Sequence, residues 1–278
     1  MTSGAMLNGS PEDGLIQGNG LCLVLNGAEE RLQILLLEQD QEAWKQLVFQ
    51  EWSVYGRAMQ VLAPALEQLL THLGRTPAEI TRIACVRGPG SFTGLRLVMA
   101  TALGLAQATG ASMAGLDYLP LLAANAPDKT TSCMILTHSR RRQVYLQHFS
   151  PDPDCPAPEP RDLPQGLPMD QTLDQALTLL REQGVPCQVL GSGLIRNLDF
   201  FQEADLPQAT LLPDPALSFP TAQALARAAE TAEYGPEPFE PLYLRGSDAE
   251  ENLAAIAAKR GLSEDEARAT LDDSRPAF

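Results

Sequence analysis

The decapeptide RGPGSFTGLR (87–96) constrains the fold of this 278-residue chain more than any other feature. It follows the short apolar run 83–86, which predicts a strand buried on both faces. After it, apolar residues at helical spacing continue to Gly110, a typical helix stop, and Thr93 is the predicted N-cap. Its glycines and proline therefore predict a tight strand-to-helix turn whose backbone N–H groups could hold an anion.

Three well-known loops do not fit the decapeptide. A P-loop needs Gly-Lys-Ser/Thr, and no lysine follows here. A nucleophile elbow needs glycines two residues before and after its serine, but Pro89 and Thr93 hold those positions around Ser91. In the dinucleotide fingerprint, counted from Gly88, the third glycine is replaced by Thr93. The loop therefore carries no generic catalytic chemistry.

The decapeptide and the small-residue helix after it resemble the signature of the bacterial TsaB (YeaZ) family, in the glycoprotease-like branch of the actin-like ATPase superfamily. The resemblance is dense over 87–110 and weaker over roughly 21–145, with an echo in PLYLRGSDAEEN (241–252). It implies an α/β fold of two duplicated actin-like (ribonuclease H-like) domains, with mixed central sheets flanked by helices.

The same resemblance implies a function without catalytic residues. Family members pair with the TsaD enzyme, which installs threonylcarbamoyl on an adenosine of certain tRNAs, and a TsaE-type ATPase joins the cycle. The chain would meet tRNA only through that complex, and a homodimer is also open. No intrinsic cofactor or metal is implied, with ATP or ADP at the partner interface as an alternative. The rival functions are an ATP-dependent small-molecule kinase of this fold and a self-associating structural module.

Three short segments stand where actin-like proteins hold nucleotide phosphates or metal. The family's usual Asp-Thr of the first hairpin is replaced by Asn26 and Gly27, which lack the charge and the hydroxyl of such a site. The usual aspartate before the second hairpin is His138. The turn of Gly191, Ser192 and Gly193 could cradle a nucleotide, although a plain strand-to-helix turn is favoured. We therefore predict at most a vestigial nucleotide site.

The helix after the signature is the predicted partner surface. Small residues recur there every four positions, so two helix backbones could approach closely. Spacing alone allows equally that this stripe packs on its own sheet, and the resemblance favours an interface, with a helix over about 56–73 as its second wall. The predicted interface residues are Met59, Leu62, Leu66, Leu97, Ala100, Thr101, Gly104, Leu105 and Ala108. The predicted signature-loop residues are Arg87, Gly88, Pro89, Gly90, Ser91, Phe92, Thr93, Gly94 and Arg96.

Charge and histidine spacing exclude other functions. With 20 basic and 35 acidic residues the net charge is −15, which disfavours tRNA binding by the chain alone. His72, His138 and His148 lack the His-x-x-x-His spacing of a TsaD-like metal site. Ser91 and His138 make no credible protease triad. The carboxylate pair Glu29-Glu30 is predicted to be solvated.

Element order predicts two lobes and two flanking segments. We expect a flexible leader (1–20), a first lobe (21–125), a second lobe (126–246) with a proline-rich loop (151–168), and a C-terminal helical tail (247–278). Asn26-Gly27 predicts a hairpin turn, and Ser218 is the predicted cap of a late helix. The sequence has no apolar run of membrane-spanning length and no secretory leader, so a cytoplasmic location is expected.

Overall fold

The computed structural model describes residues 20–40, 43–149, 169–182 and 184–244. The predicted leader up to residue 19, the proline-rich loop 151–168 and the helical tail 247–278 lie outside the described residues.

The first sheet has five strands in the order β3-β2-β1-β4-β5. β1 is antiparallel to β2, β2 is antiparallel to β3, and β4 and β5 continue the sheet in parallel with β1. The strands are β1 (Leu21–Asn26), β2 (Arg31–Asp40), β3 (Ala43–Ser53), β4 (Ile80–Gly88) and β5 (Ser112–Asp117). β1 is buried along its whole length, as expected of an apolar strand at the centre of a covered sheet.

The second sheet repeats the topology of the first. Its order is β10-β9-β6-β7-β8, with β6 antiparallel to β7, β7 antiparallel to β8, and β9 and β10 parallel to β6. The strands are β6 (Ser132–Arg140), β7 (Gln143–Phe149), β8 (Met169–Thr172), β9 (Cys187–Leu190) and β10 (Ala209–Leu211). This repetition and the flanking helices confirm the predicted duplicated α/β architecture.

Helices cover both sheets. They are α1 (Ala58–His72), α2 (Phe92–Thr109), α3 (Tyr118–Ala123), α4 (Leu173–Glu182), α5 (Ser192–Arg196), α6 (Leu198–Gln202) and α7 (Ala222–Thr231). The buried residues of α1 share one apolar core with Val98, Ala102 and Ala106 of α2 and with one face of the first sheet. α3 and α7 join the opposite face to the second sheet in a common core, and α4 to α6 cover the far side of the second sheet. The two lobes therefore share one core.

The chain returns to the first sheet after the second. α7 contacts α3, β1, β2, β3 and β5. A short antiparallel bridge then joins Gly235 to Met113 of β5. The boundary predicted at residue 246 stays a prediction, but α7 and the bridge at Gly235 contact strands of the first lobe.

Several local predictions are wrong by a few residues. The Ser91 hydroxyl, rather than Thr93, caps α2 by accepting from Gly94 N at 3.3 Å. Thr221, rather than Ser218, caps α7. The first hairpin is not a two-residue turn, because four residues, 27–30, separate β1 from β2. Both serine and threonine are good caps, so the choice is made by tertiary contacts that sequence does not display.

Two glycines of α2 have opposite surroundings. A Cβ on Gly94 would overlap the carbonyl oxygen of Gly27, so helix and hairpin turn touch through their backbones. A Cβ on Gly104, ten residues further along the helix, would meet nothing within 4 Å. The first glycine is therefore required by close approach, and the second is not.

We predict opposite effects of alanine at these two positions. Gly94→Ala should lower the free energy of unfolding by about 1–3 kcal/mol, because the methyl group must displace backbone. Gly104→Ala should raise it by up to about 1 kcal/mol, because alanine has the higher helix propensity. Urea unfolding followed by circular dichroism measures both. Equal effects of the two substitutions would contradict the assigned contact.

Candidate functional site

The signature loop docks on the first hairpin. Ser91 N donates to the carbonyl oxygen of Ala28 at 2.6 Å, and a Cβ on Gly90 would overlap that same carbonyl. With the Gly94 contact, the loop lies flat on the turn that follows β1. Its glycines therefore serve backbone packing within the chain, and the Ser91 hydroxyl is occupied as a helix cap.

The segment 241–244 closes the other side of the loop. Leu242 N donates to the carbonyl oxygen of Arg87 at 2.8 Å. Gly88 has φ 125°, in the region that favours glycine, and a Cβ there would lie 2.8 Å from the carbonyl oxygen of Leu242. Residues 241–244, which begin the C-terminal segment of the family resemblance, thus lie against the signature loop.

Three side chains form a clamp between this segment and α2. The rings of Phe92 and Tyr243 lie 5.1 Å apart, and the Arg96 guanidinium lies 3.9 Å from the Phe92 ring centroid. Arg96 Nε also donates to the Tyr243 hydroxyl at 3.2 Å. We call Phe92, Arg96 and Tyr243 the aromatic clamp. Arg96 thereby anchors the loop to the segment that follows α7.

Arg87 lies on the wall of a cleft of about 650 Å³ between the end of β5, α3 and α7. Its Nε donates to Asp117 Oδ1 at 2.6 Å, across the ends of the parallel strands β4 and β5. Arg227 and Glu230 of α7 line the cleft opposite. Arg87 therefore links the ends of β4 and β5 at the wall of this cleft.

Asn26 is buried and hydrogen-bonded within the chain. Its Nδ2 donates to Gln33 Oε1 at 2.8 Å, and its Oδ1 accepts from Ala28 N at 3.0 Å. Gln33 in turn donates to the carbonyl oxygen of Pro220 at 2.9 Å. Both ends of the Asn26 amide therefore hold the hairpin turn and tie it to the entry of α7.

The turn at Gly191 also packs inward. Gly191 has φ 111°, and a Cβ there would overlap the carbonyl oxygen of Leu136 in β6. A Cβ on Gly193 would lie 2.9 Å from the same oxygen. These glycines bring α5 against β6, in agreement with the favoured strand-to-helix interpretation.

Glu29 joins the two turns, contrary to the prediction that it is solvated. The Glu29 side chain is half-buried between the lobes, where Oε1 meets the hydroxyl of Ser192 and Oε2 lies 3.0 Å from the hydroxyl of Tyr118. Burial is the main cause that raises the Glu29 pKa to about 7, opposed by the hydrogen bonds from Ser192 and Tyr118. We call Glu29, Tyr118 and Ser192 the interlobe cluster. Its polar sequence context gave no signal of burial.

The cluster has no triad geometry although a serine, a histidine and an acid meet there. His138 approaches Ser192 with its main-chain N–H, which donates to Ser192 Oγ at 3.0 Å. The imidazole is therefore not the group that contacts the hydroxyl. Burial, followed by nearby Arg196, lowers the His138 pKa, so the ring is held neutral. Within the described ranges no group of three or more His, Cys, Asp and Glu residues could hold a metal ion.

The predicted partner residues divide between surface and core. Ala100, Gly104 and Ala108 are exposed on α2, and the Met59 side chain of α1 is 72% exposed. Leu97, Thr101 and Leu105 are half-buried at the edge of this stripe. Leu62 and Leu66 are buried against the first sheet, so they support α1 from beneath rather than forming its outer surface. We call the exposed side of these two packed helices the α1–α2 face.

We predict graded effects of two changes at the clamp. Tyr243→Phe removes the hydrogen bond to Arg96 but keeps the ring, so it should lower the free energy of unfolding by about 0.5–1 kcal/mol. Tyr243→Ala also removes the ring pair and should cost about 1–2 kcal/mol. Chemical unfolding tests this, with Tyr55→Ala as the control because that side chain is 73% exposed. Equal losses for phenylalanine and alanine would contradict a role for the ring.

Comparisons of sequence match proteins named for threonylcarbamoyladenosine in tRNA. Residues 57–151, from the start of α1 to just past β7, match the sequence model of TsaD, the tRNA N6-adenosine threonylcarbamoyltransferase. The tRNA threonylcarbamoyladenosine biosynthesis protein TsaB of Escherichia coli K12 is 33% identical over 95 residues, covering 34% of this chain and 41% of that protein. TsaB of Bacillus subtilis 168 is 28% identical over 123 residues, covering 44% and 52%. The chain thus spans about half the length of these curated relatives.

Comparisons of structure extend over more of the chain. A Pseudomonas aeruginosa protein described as similar to peptidase YeaZ superposes with a TM-score of 0.61 at 20% identity, covering 81% of this chain and all of that protein. YeaZ from Pseudomonas aeruginosa gives a TM-score of 0.54 at 19% identity, covering 89% and 97%. At such identities these likenesses establish the actin-like (ribonuclease H-like) fold. Across the signature, the sequence matches show that this region of the chain is similar to TsaB proteins.

Proposed function

We propose that this protein is a non-catalytic partner subunit of a TsaD-type enzyme in the biosynthesis of threonylcarbamoyladenosine in tRNA, and that it acts by protein association. The relatives named TsaB carry this pathway in their names, and the matched region contains both helices of the α1–α2 face. TsaD would supply the catalytic residues. A TsaE-type ATPase would join the same complex, and tRNA would be reached through it in the cytoplasm.

The observation that carries the proposal is the exposed small-residue stripe of α2. Leu95, Val98 and Ala102 of the opposite side are fully buried against the chain's own sheet. Ala100, Gly104 and Ala108 therefore need no internal partner, and their small side chains leave room for a second helix backbone. Met59 of the neighbouring helix α1 adds an exposed apolar side chain of the kind enriched at interfaces.

The surroundings of the other candidate groups support an absence of catalysis. The Ser91 hydroxyl is an N-cap, and the Ser192 hydroxyl is bonded to Glu29. A kinase of this fold would need donors and a metal ligand for phosphate, whereas an acidic side chain lies between the two turns that would have to supply them. ATP or ADP, if used, would then belong to the interface with the partner.

We predict that Gly104→Glu disrupts association without unfolding the chain. The side chain has open space in the free protein, so the unfolding midpoint should hold or rise. In the complex the charge would be buried without a partner, at a cost of about 3 kcal/mol, which corresponds to roughly a hundredfold weaker binding. Size-exclusion chromatography with light scattering, with and without ATP, measures association with the TsaD of the same organism.

Two controls separate charge from size and from position. Gly104→Gln has nearly the same volume without the charge and should weaken binding less. Gln202→Glu adds the same charge on exposed α6, away from the α1–α2 face, and should leave binding unchanged. Full-strength binding by Gly104→Glu would exclude the face as the interface. If the unmodified chain forms a stable homodimer that does not dissociate to bind TsaD, the self-associating structural module is favoured instead.

A further inference from the structure

The interlobe cluster is built from three separate parts of the chain. Glu29 lies in the connection between β1 and β2, Tyr118 opens α3, and Ser192 opens α5. The contact between Glu29 and Ser192 crosses from the first sheet to the second, and Arg196 Nη2 donates to Glu30 Oε2 at 2.7 Å beside it. The hairpin connection therefore holds the second lobe through two adjacent acids in different environments.

The hydrogens available to this cluster favour a neutral Glu29. Tyr118 has one hydroxyl hydrogen, yet its oxygen lies 3.0 Å from Glu29 Oε2 and 3.4 Å from the carbonyl oxygen of Ser218. An ionised Glu29 only accepts, so it would take that hydrogen and leave the Ser218 carbonyl without it. A protonated Glu29 donates to Tyr118, which then donates to the Ser218 carbonyl.

Ser192 fits the same arrangement. Its oxygen accepts from the main-chain N–H of His138, and its hydroxyl hydrogen is then free to donate to Glu29 Oε1. With a neutral acid, every polar atom of the cluster has a partner of the opposite kind. A buried hydrogen-bond network stabilises the fold when every polar group has a partner, and it destabilises the fold when one group has none.

We propose that Glu29 is held as a neutral carboxylic acid between the lobes, and that this contact is a proton-sensitive latch whose ionisation loosens the second lobe from the first. With Glu29 ionised, the cluster would lose the hydrogen bond to the Ser218 carbonyl and would hold a charge at a half-buried position. The ionised carboxylate would gain by withdrawing towards water, which separates it from Ser192.

The other charged groups around the latch come from three elements. Glu30 and Arg31 follow on the same hairpin, Arg196 faces them from the end of α5, and His138 approaches from β6. Glu30 raises the Glu29 pKa and Arg196 lowers it, and both act less strongly than burial. The partly exposed Glu30–Arg196 contact at 2.7 Å keeps the lobes near each other when the latch loosens.

The direction of the pH effect follows from the raised pKa. The closed latch favours the protonated form, with a pKa of about 7 against an ordinary value of 4.5 for glutamate. Its stabilisation is therefore complete below pH 4.5 and is lost as pH rises towards 7. Across that window the closing equilibrium should weaken by about tenfold per pH unit. The latch is thus at its weakest near neutral pH.

Hydrogen exchange of the free protein at pH 5.5 and pH 7.0 tests the latch. The readout is the protection factor, corrected for intrinsic exchange, of peptides covering 27–31 and 191–196. In the unmodified protein we expect protection to fall about tenfold or more between the two pH values. Glu29→Gln should hold protection constant, because its amide donates to Tyr118 and accepts from Ser192 at every pH. Glu67→Gln, on the exposed side of α1, should behave as the unmodified protein.

Two results would overturn the proposal. One is unchanged protection in the unmodified protein across this range. The other is a full tenfold change that persists in Glu29→Gln, which would assign the effect to His138. Carbon-13 NMR of the Glu29 carboxyl in the unmodified protein is the second measurement, and it stands even if a variant fails to fold. A midpoint near 7 is expected, and a midpoint near 4.5 would overturn the neutral acid. Neither measurement involves TsaD, so the latch and the proposed function can fail separately.

Discussion

The backbone contact between the first hairpin connection and the start of α2 is the constraint on which the other features depend. Ala28 accepts from Ser91 N, and Gly27 and Gly94 touch without side chains between them. This contact sets where α2 begins, and therefore which of its sides meets the sheet. With the apolar side fixed inward, the small residues around Gly104 are turned to the surface. A packing requirement at one end of the helix thus exposes a stripe at its middle.

The same contact organises both ends of the chain. Because the decapeptide lies on the hairpin, its outer side is free to receive Leu242 and Tyr243, which hold the segment after α7 on the first lobe. Its inner side fixes the connection that carries Glu29 into the gap between the sheets. The signature is therefore a structural junction of hairpin, helix and chain return. That role explains its density of glycine.

Sequence reasoning recovered what local pattern determines and missed what distant contacts determine. Apolar runs located most strands, and Gly110 was found as the end of α2 because a left-handed stop is a local property. The cap of the same helix was misplaced, since Ser91 and Thr93 are equally suited and a contact with Ala28 decides between them. The polar neighbours of Glu29 predict a solvated carboxylate, whereas contacts with the distant residues Tyr118 and Ser192 make it half-buried. The exposure of Gly104 could not be derived from spacing, which allowed core and surface equally.

The interlobe gap differs in its polar groups from a site that holds a phosphate between two glycine turns. A phosphate held between two glycine turns needs backbone donors that face the gap and no acid among them. Here the main-chain N–H of Ser91 already donates to the carbonyl oxygen of Ala28. Gly191 and Gly193 lie against the carbonyl oxygen of Leu136. The Glu29 carboxyl lies between the two turns. Where such a site would hold a phosphate, the Glu29 carboxyl links the two lobes. In the proposed latch, the strength of this link depends on whether the carboxyl is protonated.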